Sequence, residues 1–173
     1  MSSSETHDAA RRALLRGIAV AAAAALPGCG FRLRGDVDYP FTSLYINAPA
    51  SSPFALELKR ALVGNNVAIV DQAKAAQVIL DIPSVTDDKQ VLSLTGGGRV
   101  REFVLAKRIQ FRLHDADGND WLPAGELTIR RTFTFNESEV LAREAQEARL
   151  YREMQTDGVG QLVRRLQAAT KPR

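Results

Sequence analysis

The sequence predicts an α+β domain in which two helices pack on one face of a four-stranded, mostly antiparallel sheet, in the chain order β-α-β-β-β-α. Three observations support this fold class. Side chains alternate in polarity over residues 101–113, which indicates a long strand with one buried face. Ser52 followed by Pro53 is typical of a helix start. Apolar residues recur at a spacing near 3.6 over residues 140–166, which indicates a longer second helix.

The first strand and the first helix lie close together in the sequence. Residues 43–47, Ser-Leu-Tyr-Ile-Asn, alternate and include β-favouring side chains. The helix that begins after Ser52 carries Phe54 and Leu58 on one face and ends at the Gly-Asn-Asn segment 64–66. Residues 67–70 are expected to be briefly extended.

The second and third strands form a hairpin around three glycines. The second strand is predicted from Val78 past Pro83 to Leu94, and the proline indicates a bulge or an edge position. The glycines at 96–98 form the turn, and the third strand covers residues 101–113, where Lys107 interrupts the apolar face.

The last strand and the last helix complete the predicted fold. A turn at 115–119 precedes the strand, whose apolar face is marked by Leu127, Ile129, Phe133 and Phe135. Arg131 falls on that face, so a bulge or a partner is expected beside it. Asn136 and Glu139 have the spacing of a helix-capping pair.

The first 28 residues have the layout of an export signal. Three arginines at 11, 12 and 16 precede an apolar segment, residues 18–26, and Pro-Gly-Cys29 follows. The segment 26–29 resembles the lipobox of bacterial lipoproteins, which implies that Cys29, the only cysteine, is acylated and anchors the chain to a membrane. Gly30 after the cysteine favours the outer membrane over the inner one. Export through the Sec route is preferred, with the twin-arginine route as the alternative.

The domain organisation follows from this signal. Residues 1–28 are the predicted signal peptide, 29–42 a lipidated tether, 43–169 one α+β domain and 170–173 a tail.

Composition and residue types limit the possible functions. The 173 residues carry 23 basic and 20 acidic side chains, a formal net charge of +3 that does not indicate a nucleic-acid partner. No apolar run approaches the roughly 20 residues that a membrane-spanning helix needs. After signal removal His114 is the only histidine, and no thiol remains for catalysis. We therefore expect no enzyme activity, no metal and no cofactor.

Basic residues on the strands are the remaining candidates for a functional site. Adjacent antiparallel strands could place several of them together as a phosphate-binding surface beside apolar side chains. The alternative is that they are ordinary solvated residues, neutralised by Glu102, Glu126 and Glu144. The candidates are Arg99, Arg101, Lys107, Arg130, Arg131 and Arg143.

Four short segments of the chain form a recognisable set: Cys-Gly-Phe-Arg-Leu-Arg-Gly at 29–35, Val-Leu-Ser-Leu at 91–94, the Thr-Phe-Thr-Phe-Asn segment ending at Asn136, and Leu-Ala before Arg143. With these segments the chain resembles the LptE family of lipopolysaccharide-assembly lipoproteins. The resemblance implies a two-helix, four-strand domain that plugs the LptD β-barrel in a one-to-one complex at the outer membrane. It also implies that the chain assists barrel folding and lipopolysaccharide insertion, with basic residues, including Arg143, contacting lipopolysaccharide.

A generic periplasm-facing lipoprotein remains the alternative. Such a binding or transporter-accessory module would share the signal and the α+β layout, but it would be stable without a barrel partner.

Overall fold

The computed structural model describes residues 39–64, 66–134 and 140–172, with the backbone alone at 140–143. In chain order the elements are β1 (Ser43–Asn47), α1 (Pro53–Leu62), β2 (Ala68–Ile69), a 3₁₀ turn (Ala73–Ala75), β3 (Val78–Asp81), β4 (Val85–Leu94), β5 (Val100–Asp115), β6 (Asp120–Thr134) and α2 (Val140–Gln167). The predicted α+β class with two helices is confirmed. The signal peptide, the acylated Cys29 and the Asn136–Glu139 capping pair lie outside the described residues.

The sheet contains more strands than the four predicted. Its strands run in the order β2-β1-β3-β5-β4, and β6 also pairs with β5. Because β6 pairs with β5 from Glu102 to His114, strands β3 and β4 must share the opposite edge of β5. The predicted second strand is therefore present in two parts, interrupted at residues 82–84 around Pro83. The pairs β1–β2 and β1–β3 are parallel and the other three pairs are antiparallel.

The brief extended segment expected at 67–70 is confirmed, and one strand bound is corrected. The two-residue strand β2 adds an edge to β1 through the brief extended segment expected at 67–70. Strand β6 begins at Asp120, seven residues before the first marked apolar position of the prediction. Pro123 concealed this extension, because proline normally disfavours a strand interior.

Helix α1 begins and ends where its sequence signals predict. The Ser52 hydroxyl accepts a hydrogen bond from the Ala55 N–H at 3.3 Å, and Pro53 occupies the first turn. The helix ends at Leu62. Gly64 follows with φ +89°, a conformation that residues with a Cβ disfavour.

Both helices pack on the same face of the sheet, where they form one apolar core. The close approach is at Gly158 of α2, where an added Cβ would lie 2.8 Å from Ile109, 3.2 Å from Ile129 and 3.3 Å from Phe54. Glycine therefore allows α2 to contact α1 and the sheet at one point, rather than only weakening the helix. The fully buried side chains include Leu44, Leu58, Leu80, Leu105, Leu113, Met154 and Leu162.

A polar contact also joins the two helices. Glu57 of α1 accepts hydrogen bonds from Gln155 Nε2 at 2.6 Å and from Thr156 Oγ1 at 2.7 Å. These partners lie 98 and 99 residues further along the chain. Within the part of the chain that the structure describes, neither helix is long and apolar enough to cross a membrane.

Candidate binding surface

Strand alternation divides the predicted basic residues between the two faces of the sheet. Lys107 pairs across the sheet with Asp87 on one side and Ile129 on the other, on the face that the helices cover. Arg130 pairs with Ala106 and therefore points to the opposite face, since successive strand residues point in opposite directions.

Lys107 lies beneath helix α2 with an internal counterion. Its side chain is 4% exposed, and its Nζ lies 2.6 Å from Asp87 Oδ1 and 5.9 Å from the centroid of the Tyr151 ring. The Tyr151 hydroxyl donates a hydrogen bond to the Asp88 carbonyl at 3.1 Å. Burial raises the pKa of Tyr151, and the nearby carboxylates of Asp87, Glu147 and Asp88 raise it further. The Asp87 carboxylate and the Tyr151 ring explain how a lysine can interrupt an otherwise apolar face.

Arg131 has a partner rather than a bulge, which settles the two expectations for that position. The β5–β6 register runs without a shift from Glu102 to Phe111. The Arg131 guanidinium donates to the Asp157 carboxylate on helix α2, and both side chains are over two-fifths exposed.

Arg99 and Arg101 lie at the far end of the β4–β5 hairpin. Together with Val91, Leu92 and Leu94 they form what we call the tip surface. The three aliphatic side chains are 52%, 54% and 57% exposed, and both arginines are exposed. Pairing in this part of the hairpin is irregular, with register shifts between Val91 and Leu94 on β4. Exposed aliphatic side chains and cations on one hairpin are typical of an interaction surface.

The structure therefore does not unite the candidates into one surface. Arg99 and Arg101 lie together at the tip, Lys107 and Arg131 face helix α2, and Arg130 lies on the other face. Arg143 falls in the part of α2 described by backbone alone. A role for any of these residues in ligand binding stays a prediction.

Lys89 is a cation of this region that sequence reasoning missed. Its Nζ lies 2.5 Å from Glu147 Oε2 of helix α2 and 4.6 Å from the centroid of the Phe103 ring. The Phe103 and Phe133 rings stack with centroids 5.4 Å apart. Alternation with Val91 could have placed Lys89 on the face of Phe103, but nothing local in the sequence indicates Glu147, which lies 58 residues away.

A groove of about 940 Å³ lies on the opposite face, near the interruption between β3 and β4. Its apolar wall includes Ile82 and Pro83, and its charged groups include Arg112, which donates to Asp120 at 2.6 Å. His114 lies nearby on β5, with Nε2 3.0 Å from Asp81 Oδ2. Among the described residues no three potential ligands cluster as a metal site would require.

These features define a small α+β domain with a helix-covered mixed sheet and an amphipathic hairpin tip. A family model described as LptE, lipopolysaccharide-assembly, matches residues 41–166. The chain belongs to the LptE family, which is a family of lipopolysaccharide-assembly lipoproteins and not a known enzyme family. Membership is consistent with a role in lipopolysaccharide transport, and it confirms the resemblance inferred from the sequence.

Relatives and solved structures agree with this assignment. The LPS-assembly lipoproteins LptE of Yersinia pestis and Yersinia pseudotuberculosis are each 32% identical over 157 residues, which covers 88% of this chain and 73% of the relative. The solution structure of lipoprotein B from Nitrosomonas europaea matches with a TM-score of 0.69 and 36% identity, and covers 80% of this chain and 91% of that one. A minor lipoprotein from Acinetobacter baumannii, at 24% identity, supports the fold alone, with a TM-score of 0.63 and coverage of 78% and 100%.

Proposed function

We propose that the chain is an outer-membrane lipoprotein, anchored through acylated Cys29, that plugs the lumen of the LptD β-barrel in a one-to-one complex. In this role it assists assembly of the barrel and insertion of lipopolysaccharide into the outer leaflet. Membership of the LptE family and the lipobox-like segment 26–29 support this proposal.

The tip surface is the observation that supports a direct contact with lipopolysaccharide. Lipopolysaccharide is anchored by a lipid that carries phosphates beside acyl chains. Arg99 and Arg101 offer cationic donors for phosphate, and Val91, Leu92 and Leu94 offer exposed aliphatic surface on the same hairpin. One short segment therefore combines both kinds of contact that such a lipid requires.

The face of the sheet opposite the helices supports the plug role. Its side chains on β4, β5 and β6 include Gln90, Arg108, Thr128, Arg130 and Thr132, as the register and alternation place them. The lumen of an outer-membrane barrel is polar, so a polar face is suited to lie against it.

A pull-down in mild detergent tests the barrel partner. The tagged, Cys29-lipidated protein is isolated from outer membranes and the co-purifying proteins are identified by mass. We expect a large barrel protein at a one-to-one ratio. Recovery of the chain without a barrel would contradict the plug role.

Charge reversal tests the lipopolysaccharide contact. The Arg99→Glu/Arg101→Glu variant should bind lipopolysaccharide about tenfold more weakly, because charge-assisted hydrogen bonds to phosphate are lost. Arg60→Glu, on the exposed side of α1, is the matched control. Arg130→Glu and Arg143→Glu then show whether the contact extends beyond the tip. Unchanged binding after charge reversal at Arg99, Arg101, Arg130 and Arg143 would remove the direct contact from the proposal.

The groove of about 940 Å³ favours the alternative, a periplasm-facing lipoprotein that binds a ligand or serves a transporter. Co-purification with a periplasmic partner, and no barrel, would support that function instead.

A further inference from the structure

A cavity of about 400 Å³ lies between the sheet and the first half of helix α2. We call it the Lys89 pocket, and it is lined by Lys89, Glu144, Glu147, Ala148 and Tyr151. It contains one lysine and two glutamates, so in the folded chain its single cation is already neutralised.

Lys89 lies over two aromatic rings. Its Nζ is 4.6 Å from the centroid of Phe103 and 5.8 Å from that of Phe133, within the range of a cation–π contact. The two rings face Lys89 from neighbouring strands, so they fix the position of the ammonium group through the sheet itself.

Lys89 is also within reach of a ligand, and Lys107 is not. Lys89 is 32% exposed and its partner Glu147 is 23% exposed, whereas Lys107 is 4% exposed beside Asp87. Glu147 has a flexible side chain on the surface of a helix, so it can turn into solvent when another anion takes its place. A partly exposed ion pair of this kind contributes little free energy and is readily replaced.

The apolar surroundings indicate the chemistry of the ligand. Val91 follows Lys89 on the same face of β4 and is 52% exposed, and it belongs to the tip surface. A cation over aromatic rings, next to exposed aliphatic side chains, fits an amphiphile that carries a phosphate beside an acyl chain. A phosphate carries more negative charge than a carboxylate and offers three acceptor oxygens.

We infer that Lys89 binds a phosphate of the lipid anchor of lipopolysaccharide. Glu147 pairs with the same ammonium group until the phosphate displaces it. This inference rests on the proposed function and names a site for it. It also assigns opposite effects to the two members of one ion pair, which a purely structural salt bridge would not show.

Binding of lipopolysaccharide to the mature chain in detergent tests the inference, with enzymatically dephosphorylated lipopolysaccharide and inorganic phosphate as separate probes. Lys89→Gln should weaken binding of the phosphorylated lipid about tenfold. Glu147→Gln should strengthen it about threefold, because the competing carboxylate is gone. Dephosphorylated lipid should bind both variants and the parent chain alike, and inorganic phosphate alone should compete only weakly.

Two controls separate this site from general charge effects. Glu153→Gln removes a carboxylate from the same helix, where Glu153 pairs with exposed Arg149, and it should leave binding unchanged. Lys89→Arg retains the charge and should retain binding, which shows that binding depends on the positive charge at this position.

The outcomes distinguish the inference from the function on which it rests. If the parent chain binds but Lys89→Gln and Glu147→Gln do not alter binding, the Lys89 site is wrong and the proposed function stands. If Glu153→Gln strengthens binding as much as Glu147→Gln, the displacement of Glu147 is wrong. If inorganic phosphate competes as well as the lipid, the site is a general anion site. If the parent chain binds neither lipid, the site and the direct contact both fail, and the pull-down alone decides the plug role.

Discussion

Helix α2 contacts the sheet in two different ways along its length. In its second half, Met154, Leu162 and Leu166 are completely buried, and Gly158 brings the helix backbone against the sheet. In the first half, the side chains described from residue 144 onwards are at most partly buried: Leu150 and Tyr151 pack against the edge of the core, and Glu147 pairs with Lys89. One helix therefore combines a region that stabilises the fold with a region whose contacts can be exchanged.

The difference shows how a small domain can keep its fold while the first half of α2 remains available for binding. Burial of apolar surface contributes about 25 cal/mol per Å² and is insensitive to anionic ligands. Exposed ion pairs contribute at most about 1 kcal/mol each, and charged ligands compete with them directly. The first half of α2 lines the Lys89 pocket, and Val91 of the tip surface follows Lys89 two residues further along β4.

The largest expected effect comes from truncating one leucine in each half of α2. Leu162→Ala should lower the free energy of unfolding by about 3 kcal/mol, since a cavity forms in the core. Leu150→Ala, at a half-buried position, should cost only about 1 kcal/mol. Urea denaturation monitored by circular dichroism measures both values. Equal losses would show that the two halves of α2 stabilise the fold alike.

The next effect distinguishes the two glycines of α2. Gly158→Val should cost about 2 kcal/mol, because the new side chain would overlap buried Ile109, Ile129 and Phe54. Gly160→Ala should instead stabilise the protein by about 0.5–1 kcal/mol, because alanine favours the helix. Its Cβ would meet only the Arg164 side chain, at 3.5 Å. Thermal unfolding of the two variants gives the sign of each change, and stabilisation by Gly158→Val would contradict the close packing.

A smaller effect is expected at the buried lysine. Asp87→Asn should lower the free energy of unfolding by about 1–2 kcal/mol, because Lys107 then lacks its counterion. This is less than the loss for a fully buried pair, since Asp87 is 44% exposed. The double variant Asp87→Asn/Lys107→Met should recover most of the loss. If Asp87→Asn alone is neutral, water rather than Asp87 solvates the ammonium group.

The smallest effect is the pH dependence of the β5–β6 turn. A hydrogen bond from the Asn119 side chain, with further ones from the Asn119 and Asp117 backbones, lowers the pKa of Asp115 below its ordinary 3.8. The carboxylate therefore stabilises the folded state above that ordinary value, and the contribution is lost as the pH falls through the lowered pKa.

The melting temperature should thus fall more steeply below pH 4 in the parent chain than in Asp115→Asn. Asp117→Asn removes a carboxylate from the same turn but keeps the backbone donor. The melting temperature of this variant should depend on pH as that of the parent chain does. If it stays constant below pH 4 instead, the effect belongs to Asp117 and not to Asp115.

Local signals in the sequence predicted most of the fold. The Ser52 and Pro53 start of α1, the alternation of β5 and the period of α2 depend on residues close together in the chain, and the structure confirms all three. At Pro83 a bulge or an edge position was expected, and the structure has a complete break between two strands there. The early start of β6 at Asp120 could not be predicted, because its pairing with His114 outweighs the disfavoured Pro123.

The candidate site was less predictable, because its contacts join distant parts of the chain. Alternation could place Lys107 on the apolar face but could not show that helix α2 and Tyr151 cover it. The same limit applies to Lys89, whose partner Glu147 belongs to another element. The glycine turn at 96–98, next to Arg99 and Arg101, was predicted from the sequence, since a hairpin tip is a local feature.

The contact of Glu57 with Gln155 and Thr156 also bears on how the chain folds. These residues are 98 and 99 positions apart, so the two helices meet only after a long loop has closed. Contacts of this range raise the contact order and slow folding. The strands that precede α2 would expose their apolar face until the final helix arrives. During synthesis the N-terminal part emerges first, so the core cannot be complete before α2 has been made.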